Sequence, residues 1–382
     1  MKRFLPLLFL SLAIALFCGA SSCGDDPPPK PEPPTAKPDT STHQYDWEAI
    51  LVKGNTGLVE FFDVWAFSPE NVWAVGNIQD VGYPDSVRPN VYHWDGSKWN
   101  FKSIPMRMIG SADTGKPTWH DGISAIWGFS PNNLFFTSEL QTHAYSHVRI
   151  SNLDTTAETH LLVQYGGGQG RIWAIDSNNI FMAGFRADAL IYDGKTFRAI
   201  NTNLANFSGA IIDLWASGPD NIIACVDAFN YPTSPYYLLK FNGSLWEKKW
   251  TIDENTSMSD SVFFGAPRAV WGVPGEDSVY ISGLWLGRMK NDGSGKVTPV
   301  VDLRSSGGSI RRIRGTNKNN VFFVGHEGNI MHYNGVSFFQ YKNFLGRQYF
   351  LSGISVLERD VYIVGSTYDS HTGVIIHGKA KY

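Results

Sequence analysis

Short apolar stretches alternate with polar turns along most of the chain after residue 45. The clearest example spans residues 63–99, where two apolar stretches flank a Ser-Pro-Glu-Asn turn and a third ends at Asp95 and Gly96. Apolar stretches this short, bounded by Pro, Gly, Asp and Asn, are typical of β-strands joined by tight turns. The pattern therefore predicts three consecutive antiparallel strands.

The same pattern recurs along the rest of the chain. Its first part is found at residues 63–76, 125–136, 171–184, 213–222, 269–283, 312–325 and 353–365. The later aromatic turn with Asp-Gly or Asn-Gly is found at 94–99, 192–197, 241–246 and 333–338. Divided among seven units, residues 45–382 give about 48 residues each, which suits a four-stranded propeller blade. The sequence predicts an all-β fold, a seven-bladed β-propeller of four-stranded antiparallel blades.

The two ends of this region predict how the ring closes. Residues 374–382 end where the third strand of a blade should end, and residues 45–52 have the pattern of an outer strand but precede the first unit. We expect the N-terminal strand to complete the last blade, because a shared sheet removes the exposed edges between first and last blades.

The first 44 residues differ in composition from the repeats. Residues 1–22 have the basic start and apolar run of a signal peptide, and residues 23–44 form a Pro-rich tether of about 60 Å before the domain at 45–382. The small residues before Cys23 resemble the lipobox of bacterial lipoproteins, in the looser Bacteroidetes-type form because Ala20 replaces the usual Leu. An ordinary signal peptide is the alternative. Residues 24–26 resemble the acidic surface-export signal of the same group, which implies lipidation at Cys23 and a surface-exposed place on the outer membrane.

The composition and net charge of the chain argue against nucleic acid as a binding partner. The formal charge is −3 and becomes −5 once a leader with Lys2 and Arg3 is removed, so no basic surface predicts nucleic-acid binding. The aromatic share of 14% favours β-structure. Of the three cysteines, only Cys225 lies within the propeller, where we expect a buried small apolar residue and no disulfide.

The repeats as a whole resemble the propellers of bacterial secreted lipoproteins. The shared features are Trp-Gly or Trp-Ala before a Ser-Pro-Asn-type turn, and an aromatic-Asp-Gly-x-x-Trp turn later in the unit. They are more distantly similar to sialidase-type and photosystem-assembly-factor propellers. The sialidase Asp-box places one residue between Asp and Gly, whereas Asp95 and Gly96 are adjacent here. The resemblance implies a fold rather than an activity.

Insertions in the repeat predict the binding surface. They fall at 77–90, 106–122, 227–236, 253–267 and 366–373, always between second and third strands or between blades. These connections share one side of a propeller, the long-loop face, and the remaining turns form the short-turn face. Aromatic and polar loop residues suit a glycan or a protein epitope. The candidate ligand-binding residues are Tyr83, Arg88, Trp119, His120, Tyr145, Phe229, Tyr231, Trp285, His326 and Tyr368.

Two sets of repeated inner-strand residues have structural interpretations. We interpret the repeated tryptophans as packing between blades, namely Trp65, Trp127, Trp173, Trp215 and Trp271. Arg171, Arg268, Arg311 and Arg312 could form a carboxylate clamp of the sialidase kind. Because Asp63 and Asp213 occupy the same offset as Arg171 and Arg312, charge pairing along the central channel is the simpler interpretation.

No motif predicts catalysis, a metal site or a cofactor. The spacing of His143 and His147 suits a metal only on a helix. The leading interpretation is a non-enzymatic, monomeric, lipid-anchored binding module for a glycan or protein at the cell surface. The alternatives are a sialidase-like glycoside hydrolase or lyase, which needs paired carboxylates or a Tyr and Glu pair near one sugar ring, and a scaffold subunit of an outer-membrane complex.

Overall fold

β-Strands make up most of the chain that the computed structural model describes. The described residues are 40–54, 57–79, 81–82, 88–104, 122–138, 145–150, 157–162, 170–184, 187, 189–200, 202–204, 208–229, 235–252, 265–273, 276–291, 294–303 and 308–381. They lie within one unit, Asp39–Tyr382, and none of their helices is long and apolar enough to span a membrane. The expected signal peptide, Cys23 and nearly all of the tether lie outside the described residues.

The strands form four-stranded antiparallel sheets in chain order, as the repeat predicts. The first four sheets contain β2 (Val59–Ser68), β3 (Asn71–Ile78), β4 (Val91–Trp94) and β5 (Trp99–Lys102); β6 (Ile123–Ser130), β7 (Asn133–Ser138), β8 (Tyr145–Ile150) and β9 (Ala157–Leu162); β10 (Arg171–Asp176), β11 (Asn179–Ala183), β12 (Ala189–Tyr192) and β13 (Phe197–Ile200); and β14 (Gly209–Gly218), β15 (Asn221–Ala228), β16 (Tyr236–Phe241) and β17 (Trp246–Ile252).

The later sheets follow the same order, apart from the strand at the chain's beginning. They contain β18 (Ala269–Gly272), β19 (Ser278–Ser282), β20 (Trp285–Lys290) and β21 (Val297–Asp302); β22 (Ile310–Asn317), β23 (Asn320–Gly325), β24 (Ile330–Tyr333) and β25 (Phe338–Gln340); and β26 (Tyr349–Val356), β27 (Asp360–Thr367), β28 (Thr372–Ala380) and β1 (Tyr45–Lys53). A short 3₁₀ turn, His326–Gly328, follows β23.

The predicted all-β fold of four-stranded antiparallel sheets is confirmed, but the predicted count of seven propeller blades needs a correction. Six sheets are described with side chains in all four of their strands, whereas in the sheet β6–β9 the outer strands β8 and β9 are described by backbone pairing alone. The structure therefore describes six complete blades beside the sheet β6–β9, and the predicted count of seven complete blades is wrong. Repeat spacing counts strand-and-turn units along the chain and does not show whether each unit completes a blade.

The closure follows the sequence-based prediction. β1 pairs with β28 along its whole length, from Tyr45 opposite Ala380 to Lys53 opposite Thr372. The first strand of the domain is thus the outer strand of the last sheet, and the sheet that contains the first and last strands has no free edge at β28.

β-Bulges near the start of the inner strands orient the residues that face the channel. The register of the inner strand shifts between Phe61 and Asp63, between Ile211 and Asp213, and between Ile310 and Arg312. A bulge re-aims the side chains that follow it. In these blades the shift comes directly before the charged residue of the repeat.

Apolar packing lies between neighbouring sheets. One cluster joins Trp73 and Val75 of β3 to Ile123 and Ile126 of β6. Burial of such large side chains contributes roughly 1.5–3 kcal/mol each. Cys225 is fully buried, as the sequence predicts, and its thiol is free among the residues that the structure describes.

Candidate functional site

The strand bounds separate two faces with very different connections. On the short-turn face the connections are at most six residues long, as at 151–156 and 291–296. On the long-loop face they include 79–90, 103–122 and 253–268. The strand bounds thus place the insertions on the long-loop face.

Only some of the predicted binding residues can be placed on this face. Tyr83, Trp119, His120 and Tyr231 lie outside the described residues, and Tyr145 begins β8 with its side chain outside the description. The placed residues are Arg88, Phe229, Trp285, His326 and Tyr368.

Three of the placed residues belong to three different blades. Arg88 is half-buried, and its carbonyl oxygen accepts a hydrogen bond from Ser103 Oγ at 2.8 Å. Phe229 follows β15 and is 50% exposed. Trp285 begins β20 and packs against the apolar cluster around β18 and β19. The prediction that these residues form one surface with His326 stays a prediction.

His326 and Tyr368 do come together, although 42 positions separate them in the sequence. Their ring centroids are 6.5 Å apart. Tyr368 Oη donates to Glu327 Oε1 at 2.8 Å and accepts from the Glu327 backbone N–H at 3.2 Å. These two bonds fix the turn that carries His326 between the last two blades.

Phe350 links His326 to an arginine. The His326 and Phe350 ring centroids are 4.5 Å apart, and the Arg311 guanidinium carbon lies 5.3 Å from the Phe350 centroid. Arg311 is the second residue of β22 and Phe350 the second residue of β26, so both sit where inner strands begin, at the long-loop face.

A second arginine adds positive charge to this group. Arg268 directly precedes β18, forms an ion pair with Asp227 and lies 5.3 Å from the centroid of the Tyr236 ring. Arg311, in contrast, has no carboxylate or hydrogen-bond partner for its guanidinium in the described part of the chain. We call Arg268, Arg311, His326 and Phe350 the basic cluster.

The ionisation of the basic cluster reflects burial and like charge. Burial, and then the nearby Arg311 and Arg268, lower the pKa of His326 to about 4, against the opposing effect of Glu327. Burial, and then Arg268 and Arg312, lower the pKa of Arg311 to about 10. At neutral pH Arg311 is therefore charged and His326 is neutral. Its Nε2 is buried and has no hydrogen-bond partner among the described residues.

The charged residues deeper in the channel, unlike Arg311, have hydrogen-bond partners within the protein. Arg314 donates to both carboxylate oxygens of Asp213, at 3.0 and 3.4 Å, and the Val270 N–H donates to the same carboxylate at 3.1 Å. Arg171 Nε and Arg312 Nη1 both donate to the Ile212 carbonyl, at 2.9 and 3.0 Å.

These contacts refine the charge-pairing interpretation of the channel. Asp213 is paired, but with Arg314, while Arg171 and Arg312 bind backbone carbonyls. Burial, followed by the charge of Arg312, lowers the pKa of Arg171 to about 9. Arg171 links β10 to the neighbouring strand β14, whereas Arg312 and Arg314 link β22 to β14 past β18, so these guanidinium groups are not available as a carboxylate clamp.

Two members of the site were not predicted from the sequence. Glu327 and Phe350 belong to no repeat feature, so no spacing signal marks them. Arg268 and Arg311 shared one useful signal, because each stands three residues before the repeated Trp position of its blade, Trp271 or Arg314. The same offset in adjacent blades places both guanidinium groups at the same end of the channel.

No group of three or more metal-ligating side chains occurs among the residues that the structure describes. In the basic cluster, His326 stands beside cations, which disfavour a bound metal ion.

Comparison with known proteins identifies the fold. No protein-family model matches the chain, and no curated protein sequence is detectably similar. Among solved structures, YCF48 bound to D1 peptide is similar with a TM-score of 0.58 and 15% identity, covering 90% of this chain and 100% of that one. YCF48 from Cyanidioschyzon merolae has a TM-score of 0.54 and 13% identity, covering 86% and 98%.

A third similar structure is an enzyme. It is a catalytically inactive virginiamycin B lyase from Staphylococcus aureus with quinupristin, with a TM-score of 0.56 and 9% identity, covering 87% of this chain and 99% of that one. Identities this low establish the β-propeller fold alone. They agree with the distant similarity to photosystem-assembly-factor propellers at the level of the fold.

Proposed function

We propose that this chain is a non-enzymatic binding module whose long-loop face holds a protein segment by one carboxylate. The basic cluster receives that carboxylate: Arg311 supplies the charge, His326 a hydrogen bond, and Phe350 an apolar floor. The observation that carries the proposal is that Arg311 and His326 Nε2 lack partners among the described residues although both lie against Phe350.

The site favours a carboxylate ligand because unpaired polar groups in a partly buried site cost free energy. A buried donor without a partner costs about 1–3 kcal/mol, and neighbouring like charges repel. A carboxylate offsets both costs, because its oxygens accept from guanidinium and imidazole N–H groups together. Arg268 remains ion-paired with Asp227 and adds positive charge near the bound carboxylate.

Two lines support a protein segment as the ligand. The long-loop face offers exposed aromatic side chains: Tyr368, which is 46% exposed, lies beside His326, and Phe229, which is 50% exposed, follows two residues after Asp227, the partner of Arg268. Aromatic residues beside an arginine are frequent in the energetically dominant parts of protein interfaces. YCF48, a propeller of similar fold, has a structure with a bound peptide.

The proposal also includes where the protein is located in the cell. We propose a lipoprotein anchored through Cys23 to the outer membrane, with the Pro-rich residues 23–44 as a spacer and the domain acting as a monomer at the cell surface. Mass spectrometry of the N-terminal peptide tests this part, because lipidation at Cys23 changes its mass, whereas an ordinary signal peptide leaves an unmodified N-terminus.

The experiment for the binding site compares short peptides that differ only in a free or an amidated C-terminus. We expect the full-length chain to prefer the free carboxylate, and Arg311→Ala to weaken that binding about 10- to 100-fold, the size of a lost charged hydrogen bond. Calorimetric titration measures both. Arg347→Ala is the matched control, because Arg347 is an exposed arginine of the neighbouring connection.

Equal affinity for acid and amide peptides, or full binding by the Arg311→Ala chain, would contradict the proposal. A glycan array with the same two variants covers the remaining ligand class. If the chain binds a glycan and Arg311→Ala leaves that binding unchanged, the long-loop face is a glycan-binding face and the proposed carboxylate ligand is wrong.

One observation favours a second candidate, a sialidase-like glycoside hydrolase. Tyr368 and Glu327 form a hydrogen-bonded tyrosine–glutamate pair at 2.8 Å, beside His326 of the basic cluster. A tyrosine nucleophile needs a lowered pKa, whereas burial and the bond to Glu327 raise the pKa of Tyr368. Hydrolysis of a fluorogenic sialoside, lost in Tyr368→Phe, would establish this candidate in place of the binding module.

A further inference from the structure

A separate cavity lies at the other end of the inner strands. Its volume is about 290 Å³, and its walls include Trp65, Trp127, Trp173 and Trp271. Trp65 stands three residues before the end of β2, next to the short-turn face, whereas Arg311 stands at the beginning of β22, next to the long-loop face. The cavity is therefore distinct from the basic cluster.

The cavity exists because the tryptophan repeat is incomplete. The repeated position holds tryptophan in the first five units, but Arg314 and Ser355 in the last two. Both replacements belong to elements that line the cavity. Two bulky indoles are thus missing from one side of the ring, and the space they would occupy remains open.

The repeated tryptophans pack between blades, as the sequence predicts, but they are not equally covered. Trp215 and Trp271 are 7% and 3% exposed, and the ring of Trp215 fills the space over Gly272, where a Cβ would overlap it. Trp65, Trp127 and Trp173 are half-buried and present part of their surface to the cavity.

These three indoles form a curved aromatic wall. The ring centroids of Trp65 and Trp127 are 4.5 Å apart with planes tilted by 45°, and those of Trp127 and Trp173 are 5.1 Å apart with planes tilted by 57°. Trp173 Nε1 donates to the Ala216 carbonyl at 2.9 Å, which holds the end of this wall in place.

The polar side of the cavity carries both an acceptor and a cation. The Asp63 carboxylate accepts the backbone N–H groups of Val64 at 3.0 Å and Ile126 at 3.2 Å, so each oxygen keeps capacity for a further bond. Arg314 lies over the Trp173 ring at 5.4 Å and is held by Asp213. The carboxylate and the guanidinium are thus fixed before any ligand arrives.

The aromatic wall and the Asp63 carboxylate together favour a sugar over a cation or a flat aromatic ligand. A cation is disfavoured because three guanidinium groups, those of Arg171, Arg312 and Arg314, lie near the Asp63 carboxylate, while the Asp213 carboxylate is already paired with Arg314. A flat aromatic ligand prefers parallel walls, which the tilted indoles do not provide. A sugar ring presents C–H groups to aromatic faces and hydroxyl groups to a carboxylate, and a cavity near 300 Å³ holds a small ligand.

We propose that this cavity binds the pyranose ring of a neutral sugar, free or at the end of a glycan. The ring stacks on Trp65 and Trp127, and one hydroxyl donates to Asp63. The incomplete tryptophan ring and the curved wall of three half-buried indoles carry the proposal.

Tryptophan fluorescence provides the test, because the indoles themselves report the occupant. The full-length chain is titrated separately with glucose, galactose, mannose, N-acetylglucosamine and, as a cationic probe, choline. We expect a saturable change in emission with at least one sugar. We expect Asp63→Asn, which keeps the volume of the side chain, to weaken that sugar about tenfold or more.

Two further variants complete the experiment. Trp127→Ala removes the middle of the wall and should abolish the response, while Trp250→Phe removes an indole of the outer strand β17 and should leave the affinity unchanged. Should Trp127→Ala fail to fold, Asp63→Asn remains decisive. No saturable response to any sugar, a response to choline alone, or unchanged sugar affinity in Asp63→Asn would overturn the proposal.

Discussion

At the scale of single residues, buried polar groups find partners from distant parts of the sequence. His332 is fully buried and stacks on Phe322 at 4.2 Å. Its Nε2 lies 3.2 Å from Asn320 Oδ1, and its Nδ1 lies 3.0 Å from His43 Nδ1. One imidazole of this histidine pair donates and the other accepts, so the accepting Nδ1 must be unprotonated and the bond is lost when both rings are protonated.

This pairing predicts a loss of stability in mild acid. Burial and then the neighbouring His43 lower the pKa of His332 to about 3, and burial lowers the pKa of His43. Below about pH 6.5 the unfolded chain binds protons that the folded chain does not bind, so stability falls as the pH decreases towards the folded-state pKa values. Each such proton contributes a slope of about 1.4 kcal/mol per pH unit.

Urea denaturation at pH 7, 6 and 5 measures this slope, above the range in which carboxylates titrate. We expect the free energy of unfolding to fall less steeply with acid in His332→Gln than in the natural sequence. His371→Gln is the control, because His371 is exposed. Equal slopes in all three chains would contradict the role of the histidine pair.

At the scale of elements, one turn design is repeated in the outer hairpins. A side-chain oxygen of Asp or Asn accepts the backbone N–H groups two and three residues later, at Asp95, Asp193, Asn242 and Asn334. The residue after each is a glycine with φ of 91° or 92°. The sequence signal for these turns was reliable because a local side-chain bond and a positive φ determine them without tertiary contacts.

The hairpin glycine leads to a prediction with an internal control. At Gly335, φ is +92° and an added Cβ would overlap the Asn319 side-chain oxygen, whereas at Gly346, φ is +79° and no atom lies within 4 Å of a Cβ. We expect Gly346→Ala to cost about 1–2 kcal/mol from the backbone conformation, and Gly335→Ala to cost more. Thermal and urea unfolding measure both, and an equal cost would show that the overlap is relieved without penalty.

At the scale of the whole molecule, the ring is closed by its first strand. Trp47 of β1 packs on Tyr341 at 4.7 Å and on Phe344 at 5.5 Å, in the connection between β25 and β26. Its ring also covers Gly378, where an added Cβ would overlap it. The N-terminal strand thus packs against both the last sheet and the connection that enters it.

Trp47 therefore provides a point test of closure. We expect Trp47→Ala to lower the free energy of unfolding by about 2–4 kcal/mol, since it removes a large half-buried ring from this junction. Glu48→Ala changes the next residue of the same strand, which is exposed, and should have little effect. A Trp47→Ala chain with unaltered urea midpoint would mean that closure does not depend on this contact.

The three scales show different degrees of predictability. The turns and the closing strand were predicted because their signals are local or repeated, as at Asp95 and in residues 45–52. The cluster of His326, Arg311 and Phe350 was not predicted as a unit, because its members come from three connections and strands of two blades. Several loop residues chosen as ligand contacts, such as Trp119 and Tyr231, lie outside the described residues and stay predictions.

The sequence by itself determined the strand pattern, the repeat and the closure of this β-propeller, since alternating apolar stretches and glycine turns specify them locally. Only the tertiary structure decided which repeated residues are covered. Trp215 is buried while Trp65 and Trp127 line a cavity, and the difference arises from Arg314 and Ser355 in other blades. Spacing along the chain cannot report this, because the exposure of an inner-strand side chain depends on residues across the channel.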